Sequence, residues 1–332
     1  PVNGVKVIGR NILENFSKEH DLVTIDTSQA IDYKSFGKFN AKKIFFLFHL
    51  LHAVKKIKVG EKVLMNLSVN GFSFYRDAIL VSFLKLQKAD LTLHIHANGL
   101  ENKNRLLVKK LLDNVKVIVL NSRQYEELGF VNKLYCIPNS LPDYYGKQPV
   151  CKTLSGSPRS FLYMSNLSEK KGTARLLEVC DYIATHNIPA RITICGGLLD
   201  KKAEIALETI QKNYKFVNYV GPVEDLHLKM QLYNEHDFLL FLSDQNYEVY
   251  PLVYIEALMS GLPIITTQQA VSEDIIANGC GYIFEKERIE FYTSEQLTQH
   301  LPELQDACRK KYEKHYDFDN YCSRLINVIS NG

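Results

Sequence analysis

Three features of the sequence predict a doubly wound α/β protein of two tandem domains. The 332 residues, 46% hydrophobic and 23% charged, exceed one domain of roughly 150 residues and supply apolar surface for two cores. Apolar, β-branched runs of strand length alternate with helical patterns, as in parallel sheets covered by helices on both faces. Pro142, Gly146, Pro149, Gly156 and Pro158 punctuate a stretch near the middle, the composition of an interdomain linker. The same balance excludes a disordered chain, a collagen and a small disulfide-framed domain.

The first strands are predicted at Leu22–Ile25, Val63–Leu67, Leu91–Ile95 and Val115–Leu120. The second set is predicted at Ser160–Met164, Arg191–Cys195, Phe216–Val220, Phe238–Leu242 and Leu262–Thr266. Each is a short apolar run bounded by polar or turn residues. So many strands call for two sheets, with domains over residues 1–148 and 149–301. A terminal segment, 302–332, carries a helix over Pro302–Ile329 that is expected to return to the first domain.

Charge follows the same division. Residues 1–149 carry 22 Lys+Arg against 13 Asp+Glu, a net +9, and the remainder carries −6, within a total of +3. A basic half is the footprint of an anionic neighbour, or else an uneven solvated surface. Seven scattered cysteines without a C-x-x-C spacing indicate neither a disulfide framework nor a zinc ribbon, and point to a reducing compartment. The longest apolar run, Ile44–Val54, is shorter than the ~20 residues that span a bilayer. It lies in a helix predicted over 38–58 with lysines at both ends. That helix either buries its stripe on a sheet while its lysines snorkel, or touches anionic lipid as a peripheral membrane contact. No nucleic-acid motif accompanies its aromatics, so nucleic acid is not an expected partner.

In a doubly wound sheet ligands sit beyond the carboxyl ends of the strands, and two such domains present those edges to a shared cleft. The loops leaving the strands therefore carry the expected chemistry. Phe238–Thr266 reads as a buried strand, a polar loop with Glu248, a helix opening near Pro251, and a turn at Gly261 into another strand. The free N–H groups of a helix start form an anion site. Glu256, about 7–8 Å further along the axis, is placed to accept from the paired hydroxyls of a ribose, and Glu248 from another polyol group. In the first domain, the strand before Gly99 has a period that puts His94 and His96 on one face. A metal pair, buried structural histidines and polar groups of a ligand site all fit that spacing, although no further metal ligands are identifiable.

The string Glu248-Val-Tyr-Pro-Leu-Val-Tyr-Ile-Glu256, continued through Gly261 to Thr266, resembles the E-x7-E signature of the family-4 retaining glycosyltransferases. These have the GT-B fold, two Rossmann-like doubly wound domains facing a central cleft. Tyr163–Gly172, ending in Lys171-Gly172, resembles that family's strand-end loop. Ile192–Gly197 resembles its second glycine loop, Val220-Gly221-Pro222 its third, and Ile137–Ser140 its strand-to-linker element. The resemblance implies a nucleotide-sugar donor, UDP- in preference to GDP-, and a saccharide or lipid-linked glycan as acceptor. Surface polysaccharide biosynthesis at the cytoplasmic face of a membrane is the expected setting, with no cofactor and, since no metal triad is evident, no metal.

The family's pattern also implies roles residue by residue. Glu256 would bind the nucleotide ribose and Glu248 the sugar hydroxyls. Backbone N–H groups around Val249, Tyr250 and Leu252, flanking Pro251, would meet the sugar and diphosphate, with Gly196 in a neighbouring donor loop. Lys171 would stabilise the diphosphate as charge grows on it. The family's arginine five residues before that lysine is Asn166 here. Lys170 or Arg175 would then supply the missing charge, unless helix dipoles and Lys171 suffice. His96 resembles the family's cleft histidine, a polar positioner of the donor sugar. Pro1–Val5 resembles its first loop, where Gly4 permits close backbone approach; because that loop normally follows a strand, a first strand is expected to be missing. A GT-B nucleotide-sugar epimerase and a non-catalytic nucleotide-sugar-binding protein fit the same motifs. A nicotinamide dehydrogenase does not, because its G-x-G-x-x-G is lacking.

Overall fold

The computed structural model describes residues 4–27, 41–146, 158–244, 248–269, 271–277 and 279–332. The chain forms two compact units, one of Val5–Asn139 with Asp319–Gly332, the other essentially Ser140–Phe318.

The first unit runs α1 (Gly4–Phe16), α2 (Ala41–Val54), β1 (Lys62–Asn66), α3 (Gly71–Leu86), β2 (Asp90–His94), α4 (Arg105–Leu112), β3 (Lys116–Val119), α5 (Ser122–Glu127) and β4 (Lys133–Cys136). Its strands are parallel in the order β1-β2-β3-β4. Met65, Leu93 and Val117 stand opposite one another in register. On that sheet face they pack with Leu50 and Val54 of α2, Phe74 and Leu84 of α3, and Val108 and Leu111 of α4. Burial of this kind stabilises by about 25 cal/mol per Å² of apolar surface removed from water. Asn121 caps α5 by accepting from the Gln124 N–H at 2.9 Å.

The second unit runs β5 (Arg159–Met164), α6 (Thr173–Thr185), β6 (Ala190–Cys195), α7 (Lys201–Asn213), β7 (Val217–Gly221), α8 (Leu226–Glu235), β8 (Phe238–Phe241), α9 (Leu252–Met259), β9 (Ile264–Thr266), α10 (Ser272–Ala277), β10 (Gly281–Ile283), α11 (Ile289–Thr293) and α12 (Glu295–His315). A last helix, α13 (Phe318–Asn331), belongs from Asp319 onward to the first unit. There Lys116 Nζ on β3 donates to the Ile329 carbonyl at 2.9 Å and to Asp90. The second sheet is parallel throughout, in the order β10-β9-β8-β5-β6-β7. From β5 the chain winds one way to β7, then returns to β8 and winds the other way. The strand order therefore reverses between β5 and β8.

Several expectations change. Leu22–Ile25 is not a strand: Val23 is 94% exposed, and a run with strand composition but no neighbour leaves its backbone to water. β4 and β10 were not predicted. β4 mixes Lys133 and Tyr135 with apolar residues, and β10 is only three residues long. The helix expected over 38–58 is described from Ala41 and ends at Val54.

The helix expected over Pro302–Ile329 is two helices. α12 starts earlier, where Ser294 accepts from the Leu297 N–H at 3.3 Å, and Pro302 lies inside it. The break falls at Tyr316–Asp317, where the Ser140 hydroxyl donates to the Tyr316 carbonyl. Nearby, the Tyr312 hydroxyl donates to Leu141 O at 2.9 Å, and Arg309 forks onto Asp143 at 2.6 and 3.1 Å. These bonds hold 140–143 against α12, so the units divide at 139/140 and 318/319 instead of near 150 and 301. The predicted linker positions Pro149 and Gly156 lie outside the described residues.

Candidate active site

In a doubly wound sheet the natural ligand position is the crevice where strand order reverses, beyond the carboxyl ends of the two strands concerned. In the second unit those strands are β5 and β8. The loop after β5 carries Lys171, and the loop after β8 carries Glu248. The structure brings these two together: the Lys171 ammonium donates to Glu248 Oε1, with both side chains about four-fifths buried.

The backbone around Lys171 is built for that position. Ser168 caps the short turn Glu169–Lys171 by accepting from the Lys171 N–H. The Tyr163 hydroxyl of β5 donates to the Lys171 carbonyl at 2.6 Å. Gly172 then adopts φ +86, and a Cβ there would stand 2.0 Å from the Leu242 carbonyl of the β8 loop. Only glycine lets the two loops approach this closely. Burial pulls the Lys171 ammonium down to about 8; Glu248 is the counter-charge beside it.

The other residues predicted in this unit make contacts of their own. Gly196, at the end of β6, has φ +148, and a Cβ there would meet the Ser165 carbonyl at 1.9 Å. Asn166 accepts from the Gly197 N–H at 3.2 Å, so it fixes the glycine loop and carries no charge. Arg175, expected as a substitute cation, donates instead to Asp244 at 2.8 Å and to the Leu242 carbonyl at 3.1 Å. Pro251 is the N-cap of α9, one residue before its first helical position at Leu252. Val249 is buried, and the Tyr250 hydroxyl donates to that of Tyr316.

Glu256 lies in the middle of α9 and is only 7% exposed. Its carboxylate accepts from Lys229 Nζ and, at 2.8 Å, from the Tyr233 hydroxyl. Burial and the Glu256 charge push the Tyr233 phenol well above its ordinary range. A small, partly open pocket beside them is lined by Tyr144, Tyr145, Met230 and Met259. Lys229 and Tyr233 come from α8, outside the motif, and the sequence reading missed them. Their only sequence signal is a Lys-x-x-x-Tyr spacing that puts both on one helix face. Each motif glutamate is thus paired with a lysine from another element.

Gly4 is the first residue of α1. In the first unit, His94 ends β2, and the His96 ring lies against it at a centroid separation of 3.9 Å. Both ring nitrogens of His94 are buried, with no hydrogen-bond partner among the described residues. Burial pushes His94 well below its ordinary range, with the neighbouring His96 adding to it, and burial lowers His96 to about 4. Both rings are neutral at pH 7. An unfolded chain takes up these protons near pH 6.5, whereas the native pair resists, so stability is full above pH 6.5 and falls as pH drops below it. His96 alone then costs roughly 2 kcal/mol at pH ~5 relative to neutrality. Urea unfolding at these two pH values should show this loss, and His96→Gln should reduce it; a midpoint that drops equally in the variant excludes His96 as the cause. Among the described residues no three His, Cys, Asp or Glu side chains group as a metal site, and no helix is long and apolar enough to cross a membrane.

Tandem parallel α/β units of this construction are the GT-B architecture, and solved structures of that class match the chain. S. aureus TarM, solved as a point mutant with fondaparinux, alpha-GlcNAc-glycerol and UDP, is 18% identical with a TM-score of 0.66, over 86% of this chain and 59% of TarM. The chain thus spans well under two thirds of TarM's length. Anabaena HepE, solved with UDP and glucose, is 14% identical with a TM-score of 0.71, over 99% of this chain and 96% of HepE. Sucrose-phosphate synthase from Thermosynechococcus elongatus is 15% identical with a TM-score of 0.67, over 98% and 93%. No curated protein sequence matches the chain. Residues 151–311, just under half of the chain, match the family model for glycosyl transferases group 1. That match covers Lys171, Glu248 and Glu256.

Proposed function

We propose that the chain transfers a sugar from a nucleotide-sugar donor, UDP- in preference to GDP-, to a hydroxyl of a saccharide or lipid-linked glycan, retaining anomeric configuration. The observation that carries this reading is the Lys171–Glu248 pair at the strand-order reversal, inside the segment that matches glycosyl transferases group 1. The UDP bound by TarM and HepE supports the choice of base.

In this reading the donor diphosphate displaces Glu248 from Lys171, and the ammonium meets the oxygen on which negative charge grows. The N-terminal turn of α9 adds its dipole. Glu248, released, accepts from a sugar hydroxyl, and Glu256 accepts from the ribose in exchange for Lys229. The acceptor oxygen bonds to the anomeric carbon on the face from which the phosphate leaves, and the departing phosphate oxygen takes the acceptor's proton. No metal is needed in this scheme, because Lys171 and the helix terminus supply the positive field. His96 serves as polar positioner. The place of action is the cytoplasm, at the membrane face, in the assembly of a surface polysaccharide.

A thermal-shift series against UDP-, GDP- and ADP-sugars tests the donor. A ligand bound only by the native state stabilises it by about 2.7 kcal/mol at a hundred times its Kd, so the UDP-sugar should raise the melting temperature most. If no sugar nucleotide shifts it, the proposal fails. Product formed from donor without acceptor would mean an epimerase, and donor binding without turnover under any acceptor would mean a binding protein.

A further inference from the structure

The outer helical layer of the first unit presents a surface the transfer chemistry does not use. α2, α3 and α4 all cover the same sheet face, with α3 packed beside each of the other two. α2 buries Leu50 and Val54 and lays Phe46, Leu47 and Leu51 against the core. Its opposite side carries Ile44, exposed, Phe45, 76% exposed, and Phe48, 64% exposed, beside the exposed Lys42, His49 and His52. Large apolar side chains clustered at this exposure mark an interaction surface. Among the described residues nothing covers them. The pattern continues on α4, which buries Val108, Leu111 and Leu112 and leaves Leu106 79% exposed, with Leu107 beside it.

The charge on these helices has one sign. Arg76 and Asp77 form a buried pair. Apart from it, α2, α3 and α4 carry Lys42, Lys43, Lys85, Arg105, Lys109 and Lys110 and no carboxylate, and Lys55, Lys56 and Lys58 follow α2 directly. Aromatic and leucine side chains projecting from a cationic layer match a surface that is apolar within and anionic at its boundary. We infer that α2 and α4 dock this unit on an anionic lipid bilayer, Phe45, Phe48 and Leu106 entering the acyl boundary while the lysines meet headgroup phosphates. A second copy of the chain is the poorer occupant. A two-fold interface would set this cationic patch against itself, and like charges across an interface disfavour pairing. The inference stands apart from the transferase reading, since a chain that bound no nucleotide sugar would still dock.

Vesicle flotation of the full chain tests it, with phosphatidylcholine alone and with about one third phosphatidylglycerol, at low and high salt. The chain should float with the anionic vesicles at low salt, stay behind with neutral ones, and detach as salt rises. Phe45→Ser with Phe48→Ser should weaken binding by at least about tenfold, and Lys109→Glu with Lys110→Glu should weaken it mainly at low salt. Leu106→Ser serves the same purpose should the double aromatic variant melt early. Failure to float, equal flotation with neutral vesicles, or full flotation of both the aromatic and the leucine variants would overturn the inference. So would a dimer in sedimentation velocity that Phe45→Ser with Phe48→Ser dissolves.

Discussion

Lys171→Met should lower kcat by about 10²–10³ and leave donor affinity within a few-fold, the effect of removing one donor aimed at developing charge. The reason lies in the site's construction. The ammonium is mostly buried, stacked on a loop that Ser168, Tyr163 and Gly172 hold rigid, so it needs no reorganisation as the diphosphate departs. Burial lowers the free ammonium to about 8, and kcat/KM for the donor reports the free enzyme. The ammonium is charged below that value and lost above it, so kcat/KM for the donor should fall as pH rises past about 8, and the Met variant should lack this limb. Steady-state kinetics across pH with varied donor and saturating acceptor measures both. A Met variant within about threefold of wild-type kcat would remove Lys171 from the reaction, since this corresponds to less than 1 kcal/mol.

The second large effect is at Glu256. From the sequence alone an alanine there should depress turnover and spare the fold. The structure adds a stability cost, because Lys229 and the Tyr233 hydroxyl converge on this carboxylate in a mostly buried position. Removing one partner of a buried pair costs 3–5 kcal/mol in general; with Lys229 26% exposed on its side chain, we discount this to roughly 1–2 kcal/mol. Glu256→Ala should therefore melt early and bind donor poorly. Glu256→Gln still accepts from Tyr233, so it should recover much of the melting temperature while donor KM stays raised about tenfold or more. Equal donor KM in Gln variant and wild type would take Glu256 out of the nucleotide site.

The parts of this site that could be read from the sequence are those encoded within one strand–loop–helix stretch. Glu248, Pro251 and Glu256 keep a fixed spacing that local structure converts directly into position, and Lys171-Gly172 closes the loop between β5 and α6 in the same way. Lys229 and Tyr233 were not legible because their role depends on how α8 lies beside α9, a tertiary fact. The same limit explains the errors in the fold. Leu22–Ile25 has the composition of a strand but no strand to pair with, whereas Gly281–Ile283 is three residues long and is a strand because β9 lies alongside it. At the C-terminus Pro302 suggests a helix start, yet Ser294, with its hydroxyl on the Leu297 N–H, is the real one.

The return of α13 to the first unit has a consequence for synthesis. The segment that completes that unit leaves the ribosome only after every residue of Ser140–Phe318. The later-encoded unit can therefore mature while the earlier one waits with its β3 lysine, Lys116, still lacking its bond to Ile329, an inversion of the usual N-terminal-first order. A gene shortened before Asp319 would yield one sound half and one permanently unfinished half.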